Sequence, residues 1–164
     1  MTHPPFDPEL GAALAAVAER IPPTLTPADI PTQRERMRQV RLSDDDLRRE
    51  GRITIEEREV PGPSGAPAIS LLVCRPAGIR APVPGVYHTH GGGMILGDNR
   101  TGMAGLLDWI ERLGVIVVSV EYRLAPEHPF PAAVSNCWRR WSHRWVTRPS
   151  PCGPTSPTRG MWPG

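Results

Sequence analysis

Residues 85–120 read "GVYHTHGGGMILGDNRTGMAGLLDWIERLGVIVVSV", and this stretch carries the strongest structural signals of the chain. A short apolar run ends in three consecutive glycines, and in the segment that follows, apolar residues from Met103 to Ile110 recur at helical spacing. Gly114 is a suitable C-terminal cap for that helix. The β-branched run 115–120 is typical of a strand buried on both faces. This order predicts a β-α-β unit, and therefore an α/β fold with a parallel sheet.

Two strand signals precede this unit. The sequence "ITIEEREV", residues 53–60, alternates between β-formers and charges, and "AISLLVCR", residues 68–75, is more apolar. The turn cluster "PGPSGAP" separates them, so the two segments predict a hairpin. Nearer the N-terminus the sequence predicts helices. Asp7 is a suitable N-cap with Pro8 at the first helical position, and Pro31 is expected to break a second helical segment.

The three glycines after a strand predict a backbone that must approach another group closely. Such loops most often bind a phosphate or an oxyanion through their N–H groups. A Walker loop needs a Lys, which the chain lacks, and a dinucleotide fingerprint needs a Gly where Leu96 stands. The two phosphate interpretations are therefore disfavoured. An oxyanion site is favoured, and a flexible turn stays open as the alternative.

The motif "HGGG", residues 90–93, is followed some thirty residues later by "EYRLAPEHPFPAA", residues 121–133. This pair of motifs resembles the hormone-sensitive-lipase-like family of α/β-hydrolases, over roughly Leu10 to Trp138. The resemblance implies the N-terminal portion of an α/β-hydrolase fold. We then expect a mostly parallel sheet that starts with an antiparallel hairpin, and a helical N-terminal cap region. It also implies hydrolysis of a small carboxylic ester without a cofactor.

The resemblance also assigns roles by position. Gly92 and Gly93 would direct their N–H groups at the oxyanion, where a side chain would fill the space that the acyl carbonyl needs. Gly91 would be needed for the path of the backbone, and His90 would hold the loop in shape by hydrogen bonding. These roles are expectations that follow from the family.

The family's catalytic residues are missing from the sequence. Such enzymes need a nucleophilic Ser in G-x-S-x-G, followed by Asp or Glu and then by His. The chain has no G-x-S-x-G, and Ser64, in "GPSGA", precedes the β-α-β unit. No carboxylate follows Glu127, which we expect to pair with Arg123 rather than to act in catalysis. No catalytic residue is therefore predicted.

Residues 139–164 contain five Arg, five Pro and three Trp, but no Asp, Glu, Leu or Ile. A shifted reading frame in a GC-rich gene would give this composition, and a natural truncation with a disordered tail is the competing account. The expected organisation is a helical cap region in residues 1–50, an incomplete hydrolase core in 51–138 and the tail in 139–164. The chain is then an inactive fragment of an esterase or lipase, or alternatively a non-catalytic ligand-binding module of the same ancestry.

Other functional classes are disfavoured. The net charge is +2, and the basic stretch "RRWSHRW" has no fold signal that would favour nucleic acid. His88 and His90 have the spacing of a metal pair on one strand face, but no third ligand group clusters with them. Three cysteines without a C-x-x-C motif, no signal-peptide pattern and no long apolar window favour a cytoplasmic protein without a metal or a membrane span.

The composition of the tail generates a prediction about the gene. We expect another reading frame downstream of codon 138 to encode a G-D-S-A-G-like motif, then an Asp and a His, because acidic and aliphatic residues are lost at that point. Sequencing this region of the DNA and translating all three frames checks it. The absence of G-x-S-x-G from both alternative frames within about thirty codons would contradict a frame change.

Overall fold

The computed structural model describes residues 7–18, 25–62, 65–80 and 82–141. The chain forms two compact units, Met1–Gln39 and Val40–Gly164. The expected tail therefore lies outside the described residues from position 142 onward.

The first unit contains two α-helices. Helix α1 spans Pro8–Ala18, and the Asp7 carboxylate caps it by accepting the N–H of Glu9 at 3.0 Å, as the sequence predicts. A 3-10 turn, Pro27–Asp29, leads into α2, Ile30–Gln39. The prediction that Pro31 breaks this segment is wrong. Pro31 lies in the first turn of α2, where a missing N–H costs nothing, so it starts the helix instead.

The second unit begins with the short helix α3, which spans Asp44–Arg48. Ser43 and Asp46 form its capping box, since each side chain accepts the other residue's backbone N–H, at 3.1 and 2.8 Å. The elements that follow are β1 (Ile53–Val60), β2 (Ile69–Pro76), β3 (Gly85–Thr89), α4 (Met103–Leu113), β4 (Ile116–Val120) and α5 (Ala132–Trp141).

The four strands form one mixed sheet in the order β1-β2-β4-β3. The hairpin β1–β2 is antiparallel and the unit β3-α4-β4 is parallel, which confirms both supersecondary predictions. The sheet thus starts with the expected antiparallel hairpin and leads into a parallel pair, and β2 joins the two by pairing antiparallel with β4. Local sequence patterns identify the hairpin and the β3-α4-β4 segment. They do not show which strand of the hairpin lies beside the parallel pair.

Helices pack against both faces of the sheet. On one face, α4 packs on strand residues such as Leu72 and Val117, and together they form one buried cluster. The α4 residues in this cluster are Met103, Leu107 and Ile110. On the other face, Leu71 and Val120 pack with Ala133 of α5. Leu47 of α3 belongs to the first cluster, so α3 packs with the sheet, although the sequence-based division groups it with residues 1–50.

Helix α5 ends at Trp141 and so passes through the expected boundary at residue 138.

None of the helices in the described part of the chain is long and apolar enough to span a bilayer.

The packing of α4 against the sheet can be tested by measuring the free energy of unfolding. Leu107 is 1% exposed in the cluster between α4 and the sheet, so Leu107→Ala should lower the free energy of unfolding by about 2–5 kcal/mol. Leu113→Ala, at a 67% exposed position of the same helix, is the matched control and should change it by less than about 0.5 kcal/mol. Urea unfolding of both variants gives the comparison, and equal losses would show that α4 does not pack as described.

Candidate functional site

The glycine loop, residues 90–97, follows β3 directly and closes on itself through one tight turn. The carbonyl oxygen of Gly92 accepts the N–H groups of Ile95 and Leu96, at 3.1 and 2.9 Å. Gly92 and Gly93 have φ values of +118° and +63°, a region that favours glycine. The loop therefore has a defined conformation at the carboxyl end of a parallel strand, the usual position of ligand sites in α/β folds.

The three glycines of the motif are in different environments. A Cβ atom on Gly92 would lie 2.1 Å from the Leu96 carbonyl oxygen, so the turn itself requires glycine there. Gly93 has no such clash, and only its positive φ disfavours a side chain. A Cβ on Gly91 would meet nothing within 4 Å. The structure thus gives Gly92 a reason different from the expected one, because the loop backbone fills the space beside it.

His90 is 4% exposed and is fixed by Tyr122 from the end of β4. The two rings stack with centroids 4.0 Å apart and planes 9° apart, and the Tyr122 hydroxyl donates to the His90 carbonyl oxygen at 2.7 Å. His90 Nδ1 lies 2.8 Å from the Gly91 carbonyl oxygen. Because a carbonyl only accepts, Nδ1 carries the proton. His90 Nε2 is buried and has no hydrogen-bond partner among the described residues.

Burial lowers the pKa of the His90 imidazole, and its hydrogen bond to Gly91 opposes this only in part. The ring is therefore neutral near neutral pH, with Nε2 as an unprotonated acceptor.

The downstream motif, residues 121–133, begins with three consecutive residues that each contact a different part of the second unit. Glu121 accepts the backbone N–H of Asn99 at 2.7 Å, and burial raises the pKa of its carboxyl group. Tyr122 contacts the glycine loop, as described above. The backbone N–H and Nε of Arg123 both donate to Oδ1 of Asn136, a buried residue of α5, at 3.1 and 3.2 Å.

The sequence alone does not reveal these roles of Tyr122 and Asn136. For Tyr122 the available signal is its place in the motif "EYRLAPEHPFPAA", residues 121–133. Asn136 has none, because its role depends on where α5 packs. The expected pair between Arg123 and Glu127 stays a prediction.

A cavity of about 570 Å³ opens beside the glycine loop. Gly93 lines it, and within the described ranges the N–H groups of Gly92 and Gly93 donate to no acceptor. The other residues that line this cavity are Tyr87, Thr89, His90, Met94, Tyr122, Ala133, Val134 and Cys137. The site therefore presents N–H groups without an acceptor among the described residues, including those of Gly92 and Gly93, in largely apolar surroundings.

His88 does not join this site. Its Nε2 lies 3.0 Å from the Thr101 carbonyl oxygen, and its strand neighbour Tyr87 lines the cavity from the opposite face of β3. In the part of the chain that the structure describes, no three His, Cys, Asp or Glu side chains cluster as metal ligands do.

Comparison with known proteins connects this geometry to a family. A family profile described as alpha/beta hydrolase fold matches residues 86–151. Carboxylesterase NlhH of Mycobacterium tuberculosis (strain H37Rv) is 36% identical over 148 residues, which covers 89% of this chain and 44% of that protein. Human hormone-sensitive lipase is 40% identical over 53 residues, which covers 32% of this chain and 5% of the lipase. The chain belongs to the hormone-sensitive-lipase-like family of α/β-hydrolases.

Solved structures support the same family. The structure of a bacterial heroin esterase matches this chain with a TM-score of 0.64 at 32% identity, over 80% of this chain and 40% of the esterase. An esterase from Pyrobaculum calidifontis matches with a TM-score of 0.58 at 33% identity, over 81% of this chain and 41% of the other. The chain thus carries the N-terminal portion of the fold and spans less than half of the length of these relatives.

The buried imidazole generates a pH prediction. The pKa of His90 is lower in the folded chain than its ordinary value, so the unfolded chain binds more protons as the pH falls below about 6.5. The free energy of unfolding should therefore decrease from about pH 7 to about pH 5, and less steeply in His90→Phe, which keeps a flat ring against Tyr122.

Urea unfolding between about pH 7 and about pH 5 measures how steeply the free energy of unfolding changes with pH in the wild-type chain and in His90→Phe. The nearby charges of Asp98 and His88 remain in both proteins, so the difference between the slopes isolates His90. Parallel slopes would mean that His90 is not buried in its neutral form.

Proposed function

We propose that Gly92 and Gly93 form the oxyanion hole of a carboxylic-ester hydrolase whose N-terminal portion is this chain. The observation that carries the proposal is that the N–H groups of residues 91–94, those of Gly92 and Gly93 among them, donate to no acceptor among the described residues beside the cavity, while the N–H groups of Ile95 and Leu96 in the same turn are satisfied. Donors fixed in this way stabilise the charge that develops on a carbonyl oxygen under attack, by about 3 kcal/mol for each donor. The family's ester substrates make this the reaction that the site supports best.

In this proposal His90 and Gly91 support the loop and take no part in proton transfer. The Nδ1 proton of His90 is held by the Gly91 carbonyl oxygen, and the ring is stacked on Tyr122. A general base acts on a hydroxyl within hydrogen-bond reach of its lone pair, and the sequence holds no G-x-S-x-G serine for His90 to activate. The stack and the hydrogen bond instead fix the ring, and through it the backbone that leads to Gly92.

We further propose that the chain as written is inactive, because its sequence contains no G-x-S-x-G nucleophile. Cys137 lines the cavity but does not replace the serine, since burial raises the pKa of its thiol and disfavours the thiolate. The composition of residues 139–164 supports translation out of frame as the reason. The division into a cap region, 1–50, an incomplete core, 51–138, and this tail is part of the same proposal.

A non-catalytic ligand-binding module is the second candidate. The cavity of about 570 Å³ beside available N–H donors favours it, because such a cavity can accept a ligand without a nucleophile. A cytoplasmic location is proposed for either function, since Cys74 and Cys137 are free thiols.

The purified 164-residue chain should therefore release little p-nitrophenol from short-chain p-nitrophenyl esters, and a serine-directed phosphonate should not change the rate. A chimera in which residues 1–137 precede the remaining part of carboxylesterase NlhH should turn these esters over. In the chimera, Gly93→Ala should lower kcat on the order of a hundredfold, because its φ of +63° would shift and displace the donor.

Gly105→Ala, in α4 and outside the glycine loop, is the control for that substitution, since a Cβ there meets nothing within 4 Å and its φ is not positive. It should leave kcat within a few fold. Phosphonate-sensitive turnover by the chain alone would disprove its inactivity. Equal effects of the two alanine substitutions in the chimera would disprove the assignment of the oxyanion hole.

A further inference from the structure

The glycine loop is followed by a tight turn, residues 98–101, which supports its C-terminal end. The Asp98 carboxylate closes this turn, because its Oδ1 accepts two backbone N–H groups within it, at 3.0 and 3.1 Å. Gly97, directly before the turn, lies against the start of the loop, since a Cβ atom there would be 2.5 Å from His90 Nδ1. The position of the turn therefore determines how the loop closes on His90.

Both strands of the parallel pair hold this turn. Nε2 of His88, from β3, lies 3.0 Å from the Thr101 carbonyl oxygen. Glu121, which follows β4, accepts the N–H of Asn99 at 2.7 Å. These two contacts come from the strands whose ends carry the glycine loop and its support. The turn is also held from outside this pair, through Arg100.

Arg100 connects the turn to α3 and β1. Its side chain is 6% exposed, and its Nη2 lies 2.7 Å from Asp44 Oδ1 and 3.4 Å from Glu57 Oε1. Its Nη1 donates to the Leu42 carbonyl oxygen at 3.1 Å. A guanidinium presents its donors in a fixed plane, so three contacts from one buried group leave it little freedom. The turn is thereby held in one place relative to α3.

We propose that Arg100 is a positioning residue, which holds the C-terminal end of the glycine loop and, through the loop, the N–H groups of Gly92 and Gly93. Burying a charge carries a desolvation cost, so a buried ion pair adds little to stability, and a role in specifying one loop conformation accounts for it better. The expected effect of Arg100 on catalysis rests on the proposed oxyanion hole, whereas its effect on the loop does not.

Two substitutions in the first turn of α3 isolate the contact with Arg100. Asp44→Asn removes the charge beside the guanidinium, and the variant should fold because the Asp44 side chain is half-exposed. Asp45→Asn is the matched control, at a 99% exposed position of the same turn. Each carboxylate also pairs with Arg48, at 3.3 and 3.6 Å, so the two variants differ in the contact with Arg100.

Amide hydrogen exchange of the 164-residue chain gives the first readout. Asp44→Asn should speed exchange at Ile95 and Leu96 about fivefold, because their hydrogen bonds depend on the closed loop, and Asp45→Asn should not. Exchange in the paired strands β2 and β4 should be the same in both variants. Equal loop exchange in the two variants would overturn the proposal. So would a change that β2 and β4 share, or one confined to Leu47 of α3, because these contacts would then stabilise the core or hold that helix alone.

The chimera with carboxylesterase NlhH gives the second readout and separates this inference from the proposed function. Asp44→Asn should lower kcat about fivefold and leave KM within about twofold, as expected when a donor to the transition state is displaced. Asp45→Asn should change neither. An unchanged kcat in Asp44→Asn, where Gly93→Ala still lowers it, would overturn the positioning role. If loop exchange changes and neither substitution affects kcat, the support of the loop by Arg100 stands and the oxyanion hole is disproved.

Discussion

The hydrogen bond from the Tyr122 hydroxyl to the carbonyl oxygen of His90, together with the stacking of the two rings, connects the ends of β4 and β3. Because β3 and β4 are parallel neighbours, their carboxyl ends meet at one edge of the sheet. Tyr122 can reach the glycine loop only from that position. The conformation of the loop, and so the availability of its N–H groups, depends on this contact as well as on the glycines.

Neighbouring residues extend the same support. Glu121 holds the backbone at Asn99, before α4, and Arg123 holds Asn136 on α5. A single strand end therefore fixes the glycine loop, the start of one helix and the position of another. The segment "EYR" must lie at the end of β4 for its three residues to reach their separate polar partners. These partners, Asn99, His90 and Asn136, are all buried.

The sequence predicted the elements well, because hydrophobic period and end signals are local. The strand at residues 53–60 has the predicted bounds, and Gly114 caps α4 with φ of +66°. Features that depend on distant neighbours were not predicted. The antiparallel pairing of β2 with β4, the stacking of Tyr122 on His90 and the role of Asn136 all require the tertiary arrangement. The reason for glycine at position 92 was also missed, since the clash involves Leu96 in a turn whose form the sequence does not reveal.

Amide hydrogen exchange of residues 92–96 distinguishes a fixed oxyanion loop from a flexible glycine turn. We expect slow exchange at Ile95 and Leu96, whose N–H groups bond to the Gly92 carbonyl oxygen, and fast exchange at Gly92 and Gly93. In Tyr122→Phe, which removes the hydroxyl donor to His90, the protection of Ile95 and Leu96 should decrease. Uniformly fast exchange in the wild-type chain, unchanged in Tyr122→Phe, would contradict the account and leave the glycines as a flexible turn.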